Sequence, residues 1–434
     1  MSAADLPHTI REAFQIAQEG RPGPVLIDVP RDVQLELAEF EYPEIPVPAR
    51  AAMSEETEAA VVKAAKLINE AERPVLIAGH GVLASHAWDE LMELAEATGI
   101  PVINTLLGLS SFPRNHPLSL GMLGMHGMYW SNIVVDQADL VVGLGMRFDD
   151  RVTGKASTFA PHARIIHLDI ESSQVGRNVP VEVPLVGDAK VIMRALVPLV
   201  KNVDRPEWMS YIEGLKKDHP SLAIPKTDKL LVQHVLSEMN ELIQENPESV
   251  IVTGVGQHQM WAAQFLFFNG HNTFVSSGGL GAMGFELPAA MGAQVGQPNV
   301  PVWSIAGDGG IQMTSQELAT VAQENLPVKI ALINNGYLGM VRQWQEMFFE
   351  NHLKEVPIPG PDFVKLSQAY GIPAMKVTHQ EDVMPALRKA QAHDGPYLIE
   401  FVVDPSVNLY PMVPPGGSLG ETMEDPLTVG ATTS

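Results

Sequence analysis

The amino-acid sequence predicts an α/β protein: two doubly wound parallel-sheet domains, preceded by the remnant of a third. Three observations lead there. Strand-like apolar runs alternate with helical stretches along most of the 434 residues, the pattern that builds parallel sheets. The runs are apolar throughout rather than at every second residue, as in strands covered by helices on both faces. Two of them end in chemistry, because Val302–Ala306 runs into Gly307-Asp308-Gly309-Gly310 and Val328–Ile333 closes on Asn334-Asn335, 27 positions after Asp308. Ligands of open parallel sheets bind at such carboxyl ends of strands.

The elements follow in order. A helical stretch, Ile10–Ala17, leads through Gly20-Arg21-Pro22-Gly23-Pro24 into a strand expected at Val25–Val29. One helix and one strand cannot form a core, so residues 1–48 read as a domain remnant closed by a linker with Pro43, Pro46 and Pro48. Residues 49–201 read as a central Rossmann-like domain. Its elements are helix Glu55–Ala71, strand Arg73–Gly81, helix Asp89–Thr98, strands Val102–Thr105, Ala138–Gly145 and Arg164–Ile170, and helix Ala189–Val200. Residues 202–229, less apolar and holding Pro206, Pro220 and Pro225, read as a second linker. Alternation resumes over 230–410 with helix Leu231–Glu245, strands Val250–Thr253 and Thr273–Ser276 and helix Pro288–Gln294. The two junctions above, helix Phe363–Tyr370 and strand Tyr397–Val403 complete that domain. The tail 411–434, with Pro414-Pro415-Gly416-Gly417, reads as a lid or a frayed end.

Composition narrows the function. A net charge of −23 argues against a nucleic-acid partner, which needs a basic face. Any anionic ligand must therefore be held locally, by a metal ion and backbone amides. With no cysteine there is no disulfide, thiolate nucleophile or Cys-ligated metal, in keeping with a cytoplasmic protein. No basic-then-apolar leader opens the sequence, and no apolar run reaches the roughly 18 residues of a membrane span.

Asp308 and Asn335, at the ends of neighbouring strands, are suitable ligands for Mg²⁺, which takes few protein oxygens and completes its shell with water and phosphate. The glycines beside Asp308 let amides at a helix start approach the same phosphates. Taken alone, the pair is also compatible with an ordinary strand-to-helix turn and a helix cap. Gly79-His80-Gly81 follows a strand as a dinucleotide fingerprint would, but the third glycine position is Ala84 and no strand-end acid follows about 20 residues later. An NAD-dehydrogenase is thereby disfavoured.

The Gly307–Gly310 and Asn334-Asn335 pair resembles the cofactor motif of thiamine-diphosphate enzymes. Further segments are similar to the catalytic subunit of the acetohydroxyacid (acetolactate) synthase family: Val255–Trp261, Gly279–Gly284, Gly339–Gln345, Gly121–Gly127, Arg147–Gly154 and Tyr410–Gly416. The resemblance spans nearly the whole chain. It implies decarboxylating condensation of pyruvate with a second 2-keto acid, pyruvate or 2-ketobutyrate, in branched-chain amino-acid biosynthesis. Glyoxylate carboligase or pyruvate oxidase, and a non-catalytic cofactor-binding fragment, are the alternatives.

The resemblance further implies that Asp308, Asn335 and the Tyr337 carbonyl hold Mg²⁺, and that Val255, Gly256, Gln257, His258, Gly281, Met283, Gly309, Gly310 and Met340 bind thiamine diphosphate. Met283 would prop that cofactor in its bent form, Arg151 would bind the second substrate's carboxylate, and Met125 and Trp344 would shape its pocket. FAD would take Arg21, Gly79, Gly81, Thr105, Leu106, Leu123, Gly124, His126, Gly145, Arg147, Asp149, Asp169, Ile170, Asp188 and Ala189. Residue by residue, blander readings stay open: Trp344 as a core aromatic, Met283 as filler, His258 as a satisfied loop histidine, and Arg147 and Arg151 as a salt-bridge cluster with Asp149 and Asp150. The implied partners are a second copy of the chain, a small regulatory subunit and a pyrimidine-domain chain. The last is expected because most of the family's N-terminal pyrimidine-binding domain is unmatched here, and no residue takes the role of that domain's catalytic glutamate. Glu286 is a smaller departure, since the family carries a small residue there.

Overall fold

The computed structural model describes residues 2–42 and 53–429, so the expected linker prolines Pro43, Pro46 and Pro48 and the last five residues lie outside the described residues. Among the described residues, twelve strands form two six-stranded sheets in which every pairing is parallel. The first contains β1 (Pro74–Ala78), β2 (Val102–Asn104), β3 (Ser119–Met122), β4 (Leu140–Leu144), β5 (Arg164–Asp169) and β6 (Val183–Val186), in the order β3-β2-β1-β4-β5-β6. The second contains β7 (Val250–Thr253), β8 (Phe274–Ser276), β9 (Val302–Gly307), β10 (Lys329–Asn334), β11 (Ala374–Val377) and β12 (Tyr397–Val402), in the order β11-β12-β10-β9-β7-β8. This is the α/β, doubly wound architecture expected.

Burial explains why these runs are strands. Every residue of β1, β4, β7 and β9 is buried, since helices cover both faces of each sheet. In the second sheet Trp303 and Ile305 point to one core, with Trp261 and Leu236, while Val302 and Ala306 point to the other, with Leu287 and Ile311. The helices bring one apolar stripe each. Glu55–Glu70 is capped by Ser54, whose hydroxyl accepts the Thr57 amide at 3.1 Å, has three glutamates in its first turn and buries Val61, Ala64, Ala65, Leu67 and Ile68.

Each sheet has one topological switch that matters for ligands. In the first, the chain leaves β1 for β2 and β3 and returns to β4 on the other side of β1. In the second, it leaves β7 for β8 and returns to β9. The crevices at the carboxyl ends of β1/β4 and β7/β9 are therefore where a doubly wound sheet accepts a ligand.

Two expectations are corrected. Val25–Val29 forms no strand, because neither sheet offers it a neighbour, and Leu26 is 88% exposed. The stretch 202–229 contains a 13-residue helix, Pro206–Asp218, that buries Trp208 and Ile212. Pro206 sits in its first turn, where a missing amide costs nothing, so it starts a helix rather than breaking one. The structure also adds β3, β6 and β11, all at sheet edges. No helix among the described residues is long and apolar enough to cross a membrane.

Candidate functional site

The two switch points open onto one cleft of about 1320 Å³ between the sheets. On the second-sheet side, register places the two sequence junctions next to each other: Ile333 of β10 pairs with Gly307 of β9, so the residues that follow each strand meet. The Asp308 carboxylate accepts the amides of Gly336 at 2.8 Å and Gly309 at 3.0 Å, and the Asn335 amide oxygen accepts the Tyr337 amide at 3.0 Å. Burial raises the Asp308 pKa to about 6, while those backbone amides pull it the other way. A cation placed here would therefore meet one carboxylate, one amide oxygen and nearby carbonyls, a hard-oxygen set. No three His, Asp or Glu side chains gather into a metal site among the described residues.

The loop after β7 supplies the other wall. Gly256 adopts φ +149°, and the helix Gln257–Phe265 begins directly after it. His258 is buried, its Nε2 has no hydrogen-bond partner among the described residues, and its ring packs 2.7 Å from where a Cβ on Gly307 would stand. Burial lowers its pKa to about 4, so the imidazole is neutral. Gln257 donates through Nε2 to Gln343 Oε1 at 2.8 Å and faces the Asn335 side-chain nitrogen at 3.5 Å. Gln343, fully buried, in turn accepts the Leu409 amide at 2.8 Å and donates to the Leu409 carbonyl at 3.0 Å. This relay ties the ends of β7 and β10 to the chain beyond β12. A Cβ at Gly339 would stand 2.2 Å from Gln257 Oε1 and 2.7 Å from Asn335 Nδ2, so any side chain there would displace this relay.

On the first-sheet side the backbones of the β1 and β4 ends nearly touch. A Cβ on Gly79 would lie 2.3 Å from the Gly145 carbonyl oxygen, and one on Gly81 would lie 2.6 Å from the Gly145 Cα. Gly124 brings a third segment in, 2.3 Å from the Arg151 carbonyl oxygen by the same measure. Met125 donates its amide to that carbonyl at 2.8 Å, and its own carbonyl accepts Val413 from the tail at 2.8 Å. The tail thus lies against this wall rather than fraying before residue 417, where the Gly417 carbonyl accepts Lys155 at 2.9 Å. His126 is buried with Nδ1 3.4 Å from the Pro411 carbonyl, and burial lowers its pKa to about 4.

Nearly all the residues singled out in the sequence line this cleft. Arg21, Gly81, Thr105, Leu106, Leu123, Met125, His126, Gly145, Arg147, Asp149, Arg151, Asp169, Ile170, Asp188 and Ala189 stand on the first-sheet side, and Val255–His258, Gly281, Met283, Asp308–Gly310, Asn335, Tyr337, Met340 and Trp344 on the other. Gly79 and Gly124 stand behind the wall, where they permit close backbone approach. Arg147 pairs with Asp149 at 2.9 Å, whereas Arg151 makes no ion pair among the described residues and reaches only Met125 Sδ at 3.9 Å. The Asp188 carboxylate caps the helix Ala189–Leu196 by accepting the Val191 amide at 3.1 Å. Sequence reasoning gave Gln343 no role, although it stands one helical turn after Gly339.

Residues 254–401 match the thiamine pyrophosphate enzyme C-terminal TPP binding domain, and residues 61–196 match the central domain of the same enzymes. Over 431 residues the chain is 43% identical to the acetolactate synthase of Mycobacterium leprae, covering 96% of this chain and 69% of that protein. It is 45% identical over 427 residues to the acetolactate synthase large subunit of Corynebacterium glutamicum, covering 95% and 68%. Similarity extends to the archaeon Methanocaldococcus jannaschii, whose probable acetolactate synthase large subunit is 43% identical over 433 residues, covering 96% and 72%.

Proposed function

Because the chain belongs to the acetolactate synthase large-subunit family, we propose that its cleft is a thiamine-diphosphate site at the second sheet and an FAD site at the first, with the 2-keto acids meeting between them. It is a thiamine-diphosphate-dependent enzyme chain that condenses pyruvate with a second 2-keto acid, pyruvate or 2-ketobutyrate. The reading is carried by the meeting of Asp308 and Asn335 across β9 and β10 beside a buried, neutral His258 with a free Nε2.

The donor set suits the group. Asp308, Asn335 and the Tyr337 carbonyl would hold Mg²⁺, and His258, Gln257 and the amides of Gly309 and Gly310 would hold the diphosphate. The Gly309 amide already donates to the Asp308 carboxylate at 3.0 Å, so a phosphate would share it, and a Cβ on Gly309 would stand 3.1 Å from Ile358 and 3.4 Å from Met283. Thiamine diphosphate, when bound, supplies the sink for the electron pair left on pyruvate as it loses CO₂. The chain's own residues place and shield. The guanidinium of Arg151, free of any carboxylate, orients the second acid's carboxylate, a two-point contact that lysine could not reproduce. Met125 and Trp344 line the apolar wall that meets its alkyl end, where one methylene changes selectivity by about 1–3 kcal/mol. The tail packed on Met125 narrows the path for water.

The close glycine crossing at Gly79, Gly81 and Gly145, with Arg21 and Arg147 facing the same space, supports FAD at the first-sheet end. The domain bounds 1–48, 49–201, 230–410 and 411–434 are proposed on the same footing, as are a cytoplasmic home, a second copy of the chain, a pyrimidine-domain chain in trans and a small regulatory subunit of the kind implied by the name of the Corynebacterium relative. The test is acetolactate formation from pyruvate with thiamine diphosphate, Mg²⁺ and FAD, by the chain alone and with a separately expressed pyrimidine-binding domain. Acetolactate made in the mixture bears the reading out. Condensation of glyoxylate, or acetyl phosphate formation, in its place would overturn it.

A further inference from the structure

Glu286, the first residue of the helix Glu286–Gly296, has no solvent exposure at all, and neither of its carboxylate oxygens has a hydrogen-bond partner among the described residues. It fills the gap between the two loops that the cofactor reading assigns to the diphosphate. Its Oε2 lies 2.5 Å from where a Cβ on Gly254 would stand, and its Oε1 lies 2.4 Å from the same point on Gly310. Gly310 is one of the two amide donors assigned to the phosphates, so a carboxylate stands directly behind the phosphate seat. Nothing offsets it there. From residue 230 to residue 328 the chain contains no lysine or arginine, and the titratable groups on the segments packed around Glu286 are His258, neutral through burial, and Asp308.

We propose that Glu286 is a positioning residue for the diphosphate that works as a neutral carboxylic acid, so that seating the cofactor draws one proton from solvent onto its carboxylate. The inference rests on the cofactor reading of the cleft. Two negative groups separated by one backbone, in a buried site with no lysine or arginine and whose one cation would sit on the diphosphate, cannot both keep their charge without large cost. The diphosphate is the one Mg²⁺ and the amides are built to hold, so the carboxylate is the group that yields. Its position already favours this: burial lifts its pKa to about 7, and the nearby amides of Glu286 itself and Gly284 offset that only in part. A neutral acid at this point also fills space that a small residue would leave empty beneath Gly254 and Gly310.

The experiment is calorimetric titration of the full chain with Mg²⁺ and thiamine diphosphate, at pH 6 and pH 8, in buffers of different ionisation enthalpy, for the wild type, Glu286→Gln and Glu286→Gly. Proton changes from Asp308, Mg²⁺ and the cofactor itself are common to all three, so the difference counts Glu286 alone. The expected result is about one more proton taken up by the wild type than by either variant at pH 8 and close to none at pH 6, with wild-type affinity falling about tenfold more than that of Glu286→Gln between the two. If Glu286→Gly does not fold, the difference between wild type and Glu286→Gln, which keeps the side chain's volume, still decides. Equal proton counts in wild type and variants, with binding intact, overturn the role of Glu286 and leave the cofactor site standing. No binding at either pH in any of the three overturns both.

Discussion

Glu286 and His258 occupy one site and illustrate the same force with opposite sign: burial disfavours charge, so the acid is lifted to about 7 and the imidazole lowered to about 4. For the acid, the folded chain holds its proton more tightly than the unfolded chain. Glu286 is therefore best tolerated below its unfolded pKa of 4.5, and stability is lost as pH rises through about 7, by roughly 3 kcal/mol in all. Glu286→Gln removes that loss. Urea unfolding without cofactor should show the variant gaining roughly 3 kcal/mol on the wild type between pH 4.5 and pH 8. Asp308 runs in the same sense, and His126 and His258 in the opposite one, but all are common to both proteins and cancel. A constant gap across pH would mean that water reaches the carboxylate. At this scale the Asp308 and Asn335 pairing was legible, because strand-end ligands at a short spacing declare themselves locally. The role of Gln343 was not, because its partner Gln257 is 86 positions away and only the finished sheet brings them together.

The elements were legible in proportion to their burial. Central strands such as β4 and β9, covered on both faces, appear in the sequence as unbroken apolar runs. The edge strands β6 and β11 do not, since an edge needs less cover, and β6 alternates buried and exposed residues and includes Pro184; β3, buried throughout, is only four residues long and interrupted by Ser119 and Gly121. The helix Pro206–Asp218 was hidden for a different reason. Its composition is polar overall, and its only fully hidden side chains are Trp208 and Ile212, one turn apart. Yet Trp208 packs with Val75 and Val134 in the first sheet's core and donates its indole N–H to the Pro74 carbonyl at 3.2 Å. It is thus a buttress at the start of β1. Trp208→Ala is expected to cost about 3–5 kcal/mol, as for other large buried aromatics, read from the urea midpoint. A cost under about 1 kcal/mol would restore the view of this stretch as a passive linker.

Across the whole molecule the two ends of the cleft differ in how they handle anions. The net charge is −23, yet Arg21, Arg147 and Arg151 all face the first-sheet end, while no lysine or arginine among the described residues lines the second-sheet end, where the nearby Arg342 is paired with Glu346 at 2.8 Å. Screening should separate the two. Contacts between exposed guanidinium groups and phosphates weaken as salt shortens the range of attraction, and a phosphate held by amides, one metal ion and a neutral imidazole in a strongly negative protein gains from the same screening. With Mg²⁺ saturating, raising KCl from about 50 to about 300 mM should therefore weaken FAD binding several-fold, and leave thiamine-diphosphate affinity unchanged or improved. Flavin fluorescence reads the first, and quenching of Trp344, which lines the cleft, reads the second. A tenfold loss of thiamine-diphosphate affinity would require a cation delivered to the second sheet from elsewhere in the assembly. Equal responses at both ends would mean that charge placement along the cleft does not distinguish the two cofactors.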